Sequence, residues 1–330
     1  MSFNIEKIKG VSFLAFPEMQ GLLISELKTR FSYEPNLSLD PSINFLNDAW
    51  YGDLLFLSNW TFTEYPYWAR TVLLEPLLIT FDSITDAAQA LRSIQRSWAP
   101  YNFKSFRRSS LIQEKLPYVN LKNRNFPFEI PHSPIGLYTL LDEHTILASA
   151  STTSCLPAGT VVWNEDHVNP PSRAYLKVQE ALVLAHHYFG VDLPYSGQKC
   201  FEAGACPGGW TWVLVGLGAE VFAVDRAPLA SSLMENPLVK FMAHDAFTLK
   251  PEDIGKVDWV FSDVICYPER LLEWVKKWLS SGLTKNMICT IKMQGEINWE
   301  TVKEFASIPN SRIVHLNYNK HELTFIHCEK

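Results

Sequence analysis

The sequence predicts a two-part α/β protein, with a doubly wound, mostly parallel sheet over residues 166–330 and a smaller α+β domain over residues 1–165. Three observations carry this. From about residue 170 onward, short apolar strand-like runs alternate with helical segments, the pattern of successive β-α-β units. The first of those strands runs straight into a Gly/Pro-rich turn, Gly204-Ala205-Cys206-Pro207-Gly208-Gly209, and then an apolar helix. Residues 164–172 (NEDHVNPPS) are polar, carry a double proline and read as the linker between the two parts.

Composition bounds the reading. A chain of 330 residues, 47% hydrophobic with 11 Trp, 12 Tyr and 20 Phe, has material for two conventional cores and is not a disordered chain. The formal charge of −6 argues against a protein that coats nucleic acid through overall basicity, and leaves room for a local basic groove. The six cysteines are scattered, with no CxxC pair and no Cys/His spacing of zinc-finger type. Reduced core or loop thiols, no structural metal and a cytoplasmic location are therefore expected. No run approaches the roughly 18 apolar residues of a membrane span, and the N-terminus lacks a cleavage pattern, so no membrane partner is expected. There is no internal repeat.

In the first part, residues 11–16 read as a strand and 17–31 as a helix carrying Leu22, Leu23, Ile24, Leu27 and Phe31. Residues 48–70 are dense in aromatics, with strand-like alternation. Such rings can stack on RNA bases, but a core is the commoner use. Residues 82–99 read as a helix capped by Asp82 or Ser83. In residues 102–115, Lys104, Arg107 and Arg108 stand beside Phe103 and Phe106, which makes this the best RNA-contacting patch of the first half. A solvated helix face is the alternative. Residues 137–150 and 159–163 read as strands.

In the second part, residues 172–188 read as a helix with Ser172 as N-cap. Strands follow at 199–203, 220–224, 238–243, 257–262, 287–291, 312–316 and 323–328. Helices or turns fall at 210–217, 228–235, 268–280 and 299–307. This is a Rossmann-like order, and the short connection between the last two strands makes one of them antiparallel. Ligands of such sheets bind at the carboxyl ends of the strands. Asp225, Asp245, Asp263 and Lys292 fall at such ends and Glu322 begins the last strand, so five ionisable groups converge on one rim.

The turn then selects a ligand class. A dinucleotide fingerprint needs G-x-G-x-x-G, and Gly204-x-x-x-Gly208-Gly209 lacks the middle glycine that admits a pyrophosphate. A cofactor without a diphosphate, such as S-adenosyl-L-methionine, fits better. Backbone N–H groups of the turn would take its methionine end, Asp225 its ribose hydroxyls and Asp245 its adenine amino group.

The segments GACPGGWTW, VDRAPLASSLM, DVICYPERL, TIKMQG and HELTFIH resemble, in order and spacing, the RNA 2′-O-ribose methyltransferases of FtsJ/RrmJ type, and within them the large-subunit rRNA methyltransferase M family. The resemblance covers residues 171–330. It implies a catalytic Lys177, Asp263, Lys292 and Glu322. It also implies cofactor positions at Ser172, Gly204, Cys206, Pro207, Gly208, Gly209, Trp210, Asp225, Asp245 and Asp263, and a cytidine ribose in 23S rRNA as acceptor. RNA, not DNA, is the partner it implies, and a THUMP-like first domain. The chain departs from the family at Glu202, where Asp is usual, and at Ile265-Cys266-Tyr267 and Met293-Gln294-Gly295. Lys292 is the candidate base, with Lys177 and the sulfonium lowering its proton affinity and Asp263 and Glu322 orienting the lysines. A methyltransferase of another substrate, a nicotinamide-dependent oxidoreductase and a non-catalytic RNA-binding module are the alternatives. The oligomeric state is not legible.

Overall fold

A computed structural model describes residues 2–37, 47–133 and 135–329. The chain divides into two compact units, Met1–Asn123 with Ile130–Val162, and Arg124–Glu129 with Trp163–Lys330. The hexapeptide 124–129 thus belongs to the second unit, where Phe126 and Phe128 meet the Trp163 ring edge-on at centroid distances of 6.1 and 5.5 Å.

The first unit contains β1 (Phe3–Lys7), β2 (Val11–Ala15), α1 (Gln20–Phe31), β3 (Ala49–Tyr51), β4 (Leu54–Leu57), β5 (Ala69–Leu73), β6 (Leu77–Phe81), α2 (Ile84–Ile94), β7 (Trp98–Pro100), α3 (Phe106–Gln113), β8 (Gly136–Leu140) and β9 (Thr145–Ser149). They form a five-stranded sheet ordered β1-β6-β9-β8-β7 and a four-stranded sheet ordered β3-β4-β2-β5. Apolar residues of both sheets, Leu14, Tyr51, Phe56, Leu73, Leu137 and Leu147 among them, share one core. A second core holds Ile79, Phe81, Leu91, Trp98, Tyr138 and Ile146 with α2 and α3. Of the aromatic stretch, Tyr51, Phe56 and Trp68 are therefore core residues.

Two expectations change here. The helix expected over residues 82–99 stops at Ile94. The Trp98 indole N–H folds back to the Leu91 and Gln95 carbonyls (2.9 and 3.1 Å), and Trp98 begins a strand parallel to β8. The strand expected over 159–163 does not form. Ala158 and Gly159 have φ of 52° and 65°, which turn the chain left-handed, and Trp163 sits in an isolated bridge with Arg124 rather than in a strand.

The second unit contains α4 (Tyr175–Phe189), β10 (Lys199–Ala203), α5 (Gly209–Gly216), β11 (Glu220–Asp225), α6 (Ser231–Met234), β12 (Val239–Ala243), α7 (Pro251–Ile254), β13 (Trp259–Ser262), α8 (Pro268–Ser281), β14 (Asn286–Lys292), α9 (Trp299–Ala306), β15 (Ser311–Val314) and β16 (Glu322–Cys328). The sheet order is β12-β11-β10-β13-β14-β16-β15, with β12, β11, β10, β13 and β14 mutually parallel. Only β16 runs antiparallel to both of its neighbours. The inner strands are buried on both faces, which is why they read as continuous apolar runs. Helix α8 buries Leu271, Trp274, Val275 and Trp278, one stripe at helical spacing, and leaves its lysines outside. Among the described residues no helix is long and apolar enough to cross a membrane.

Candidate functional site

The parallel register brings the ends of β10, β11 and β13 level: Ala203 pairs with Val224 on one side and Ser262 on the other. The residues that follow, Gly204, Asp225 and Asp263, therefore share one rim. They line a cleft of about 390 Å³ together with Cys206, Arg226, His244, Asp245, Val264, Ile265 and Arg270.

The turn after β10 is built for close approach. Gly204 has φ of 76°, and a Cβ there would lie 2.7 Å from the Val264 side chain, so only glycine lets the loops after β10 and β13 touch. Asp225 fastens the turn from the neighbouring strand: its two carboxylate oxygens accept the backbone N–H groups of Cys206 (2.9 Å) and Ala227 (3.1 Å). Each oxygen keeps a lone pair for a further donor. Burial and the Asp225 carboxylate together push the Cys206 thiol upward, so it stays protonated.

Ser172 does not cap α4 as expected. The helix begins at Tyr175 behind Ala174, and the Ser172 hydroxyl instead faces the start of α5, where a Cβ on Gly209 would come within 2.4 Å of it. That hydroxyl is buried with no hydrogen-bond partner among the described residues. An orphaned donor beside the first N–H groups of α5 fits a carboxylate ligand, such as the methionine end of S-adenosylmethionine. Within this group Trp210 offers the site its backbone N–H, in the first turn of α5, rather than its side chain. Its indole N–H donates to the Ala174 carbonyl (3.0 Å) and its ring packs edge-on against Phe261, so the side chain pins α5 to the segment before α4 and does not line the cleft.

Asp245 caps the turn at Ala246–Thr248 by accepting the Phe247 N–H (3.1 Å), and it pairs with Arg226 at 2.7 Å and Arg270 at 3.8 Å. Burial works against its ionisation, but Arg226, the capping bond and Arg270 outweigh it and hold the carboxyl below its usual range. The two arginines were not among the sequence candidates. Arg226, which follows Asp225 directly, was the available signal.

The four residues Lys177, Asp263, Lys292 and Glu322 form one continuous chain of ion pairs. Lys292 ends β14 and Glu322 begins β16, and the antiparallel register sets them directly opposite each other, so their side chains rise from the same face. The Lys292 ammonium donates to Asp263 Oδ1 (2.5 Å) and Glu322 Oε2 (2.9 Å), and Lys177, from the first turn of α4, donates to Glu322 Oε1. All four side chains are at most one-fifth exposed. Burial tends to lower the Lys292 pKa, but Asp263 and Glu322 outweigh it and hold the ammonium above the ordinary lysine value. Burial likewise tends to raise Glu322, and the two lysines hold it below the usual carboxylate range. Lys177 does not use Glu180, its neighbour at i+3. That carboxyl accepts the backbone and side-chain N–H groups of Asn317 at 2.7 to 3.0 Å, and burial pushes its pKa up to about 7.

A second buried carboxyl, Glu202, legible in the sequence only as a departure from the family pattern, lies near the end of β10. Glu202 is hydrogen-bonded to the Thr211 hydroxyl (2.6 Å). Burial first, and then the nearby Asp263 and Asp225 charges, push its pKa up to about 8. It is a neutral group at pH 7, which lets it sit among acids without adding charge.

Residues 170–308, less than half of the chain, match the model of the FtsJ-like methyltransferase family, and the match lies within the second unit, which carries the parallel sheet and the glycine turn described above. The similar relatives are more particular. The chain is 32% identical over 167 residues to the Ribosomal RNA large subunit methyltransferase M of Thauera aminoaromatica, covering 47% of this chain and 45% of that protein. It is 38% identical over 144 residues to the protein of the same name from Alteromonas mediterranea, covering 43% and 39%. The chain thus spans less than half the length of these relatives. Among solved structures, Aeropyrum pernix fibrillarin in complex with S-adenosyl-L-methionine is similar at 16% identity and a TM-score of 0.33, covering 57% of this chain and 80% of that one.

Proposed function

We propose that this chain transfers the methyl group of S-adenosylmethionine to a ribose 2′-hydroxyl of RNA, with large-subunit rRNA as substrate and a cytidine as the acceptor nucleotide. The Lys177–Glu322–Lys292–Asp263 chain beside the cofactor-type turn carries this reading. Two lysines and two acids held together with their side chains at most one-fifth exposed have no packing purpose that apolar residues would not serve better. The names of the relatives support rRNA as the substrate, and the cytoplasm, where ribosomes assemble, is the location that goes with it.

Bound S-adenosylmethionine supplies a methyl group activated by a sulfonium. Ser172 and the first N–H groups of α5 would hold its carboxylate, Asp225 its ribose and Asp245 its adenine amino group. The residues then have two tasks, which are to align the ribose oxygen for in-line attack and to remove its proton. Lys292 is the base. In the free protein it is an ammonium, so it must release a proton before it can accept one, and the positive charges of the sulfonium and Lys177 favour that release. Lys292 would take the hydroxyl proton as the ribose oxygen accepts the methyl group, while Glu322 and Asp263 keep the amine in line.

In the first unit, the exposed ring of Phe106 beside Lys104 and Arg107 is the surface proposed to hold RNA. Arg108 lies over the Phe81 ring and is turned inward.

The test is Lys292→Ala, assayed with tritiated S-adenosylmethionine and RNA from a strain lacking the protein. Transfer should fall by about 10²-fold or more, with cofactor affinity by calorimetry changed less than about twofold. Wild-type turnover by the variant would remove Lys292 from the chemistry.

A further inference from the structure

We propose that Tyr267 is the stacking platform for an unpaired base of the substrate RNA, at or next to the nucleotide whose ribose reaches Lys292. This rests on the RNA reading above and adds the residue that would recognise the acceptor strand.

Three successive residues after β13 alternate in direction. Ile265 is 80% exposed, Cys266 is 7% exposed and Tyr267 is 65% exposed. Cys266 anchors the segment inward, within electrostatic reach of Arg270 and Lys292. Ile265 lines the cofactor-type cleft, whereas Tyr267 does not. The backbone of Tyr267 is fixed as the N-cap of α8, its carbonyl accepting the N–H groups of Arg270 (3.1 Å) and Leu271 (3.2 Å). A rigid backbone therefore presents a free aromatic face.

That face is in reach of the chemistry. Tyr267 lies four positions after Asp263, so their Cα atoms lie no more than about 14 Å apart. Asp263 touches the Lys292 ammonium. A nucleotide with its ribose at Lys292 must put its base, or that of its neighbour, within such a span. The side chains of Arg226 and Arg270, 78% and 55% exposed, add cationic charge on the same rim for phosphates. Fixed aromatic rings beside cations are how proteins hold single-stranded RNA, because every base has a stackable face. The occupant these features fit is thus an unpaired nucleobase, while the adenine of the cofactor belongs to the Ile265 side.

The experiment uses the full chain, unmodified in vitro transcribed large-subunit rRNA and tritiated S-adenosylmethionine, comparing Tyr267→Ala with Tyr267→Phe. Loss of one stacked base should raise the RNA KM of Tyr267→Ala on the order of 10- to 100-fold, with cofactor affinity by calorimetry unchanged and Tyr267→Phe close to wild type. RNA affinity by filter binding, which does not depend on turnover, should fall in parallel. If wild type methylates RNA and Tyr267→Ala keeps its KM, the platform is wrong and the function stands. If wild type binds RNA in a Tyr267-dependent way but transfers no methyl group, the platform stands and the function is wrong. Weakened cofactor binding in Tyr267→Ala, or Tyr267-dependent binding to a ribosomal protein with RNA affinity unchanged, would also overturn the proposal.

Discussion

At the scale of single residues, the site is governed by who holds the protons. Lys292 faces two carboxylates, and its raised pKa means that the base form is a minor species at neutral pH. If Lys292 is the base, methyl transfer under single-turnover conditions should therefore rise with pH, close to tenfold per unit, until the lysine titrates. A rate that is flat from pH 6 to 9 would mean that Lys292 only positions the acceptor. The lysine in TIKM and the glutamate in HELT were legible as candidates from sequence. Their opposition across β14 and β16 was not, because it depends on a register that local sequence does not fix.

At the scale of elements, α4 is tied to the loop between β15 and β16 by Glu180. Its folded pKa of about 7 lies above the ordinary glutamate value of 4.5, so the folded state keeps a proton that the unfolded chain has lost. The sign follows from linkage. This contribution to stability is fully present below about pH 4.5 and is lost as pH rises through about 7, on the order of 3 kcal/mol in all. Glu180→Gln should flatten that part of the stability curve, measured as Tm between pH 5 and 8. A variant with the same pH slope as wild type would show that the carboxyl is ionised in the folded protein. The helix itself is readable from its apolar spacing. Its first turn is not, because a serine after a double proline looks like an N-cap, and only the packing against Gly209 reveals that Ser172 is used elsewhere. The same holds for Trp98, whose indole ends α2 through a contact that no local propensity encodes.

At the scale of the whole molecule, the chain carries a net charge of −6, so any affinity for RNA must come from local surfaces rather than from the global field. If Lys104 and Arg107 of the first unit are such a surface, Lys104→Glu with Arg107→Glu should weaken RNA binding. The slope of log affinity against log salt should shrink by about 0.7 per lost phosphate contact on a single strand, with S-adenosylmethionine affinity unchanged. An unaltered salt slope, measured by filter binding, would make this a solvated helix face.

The sequence by itself determined the alternating strands and helices of the second unit, the glycine turn that leads into α5, and the acids and lysines at the strand ends. These are properties of period and of residue type, which act locally. The tertiary structure alone decided which of those groups touch. It assembled four residues spread over nearly 150 positions into one ion-pair chain, turned Trp210 into the core and made Glu202 neutral by burying it among acids. Register, burial and the field of neighbouring charges belong to the folded molecule, and no stretch of the chain holds them before it folds.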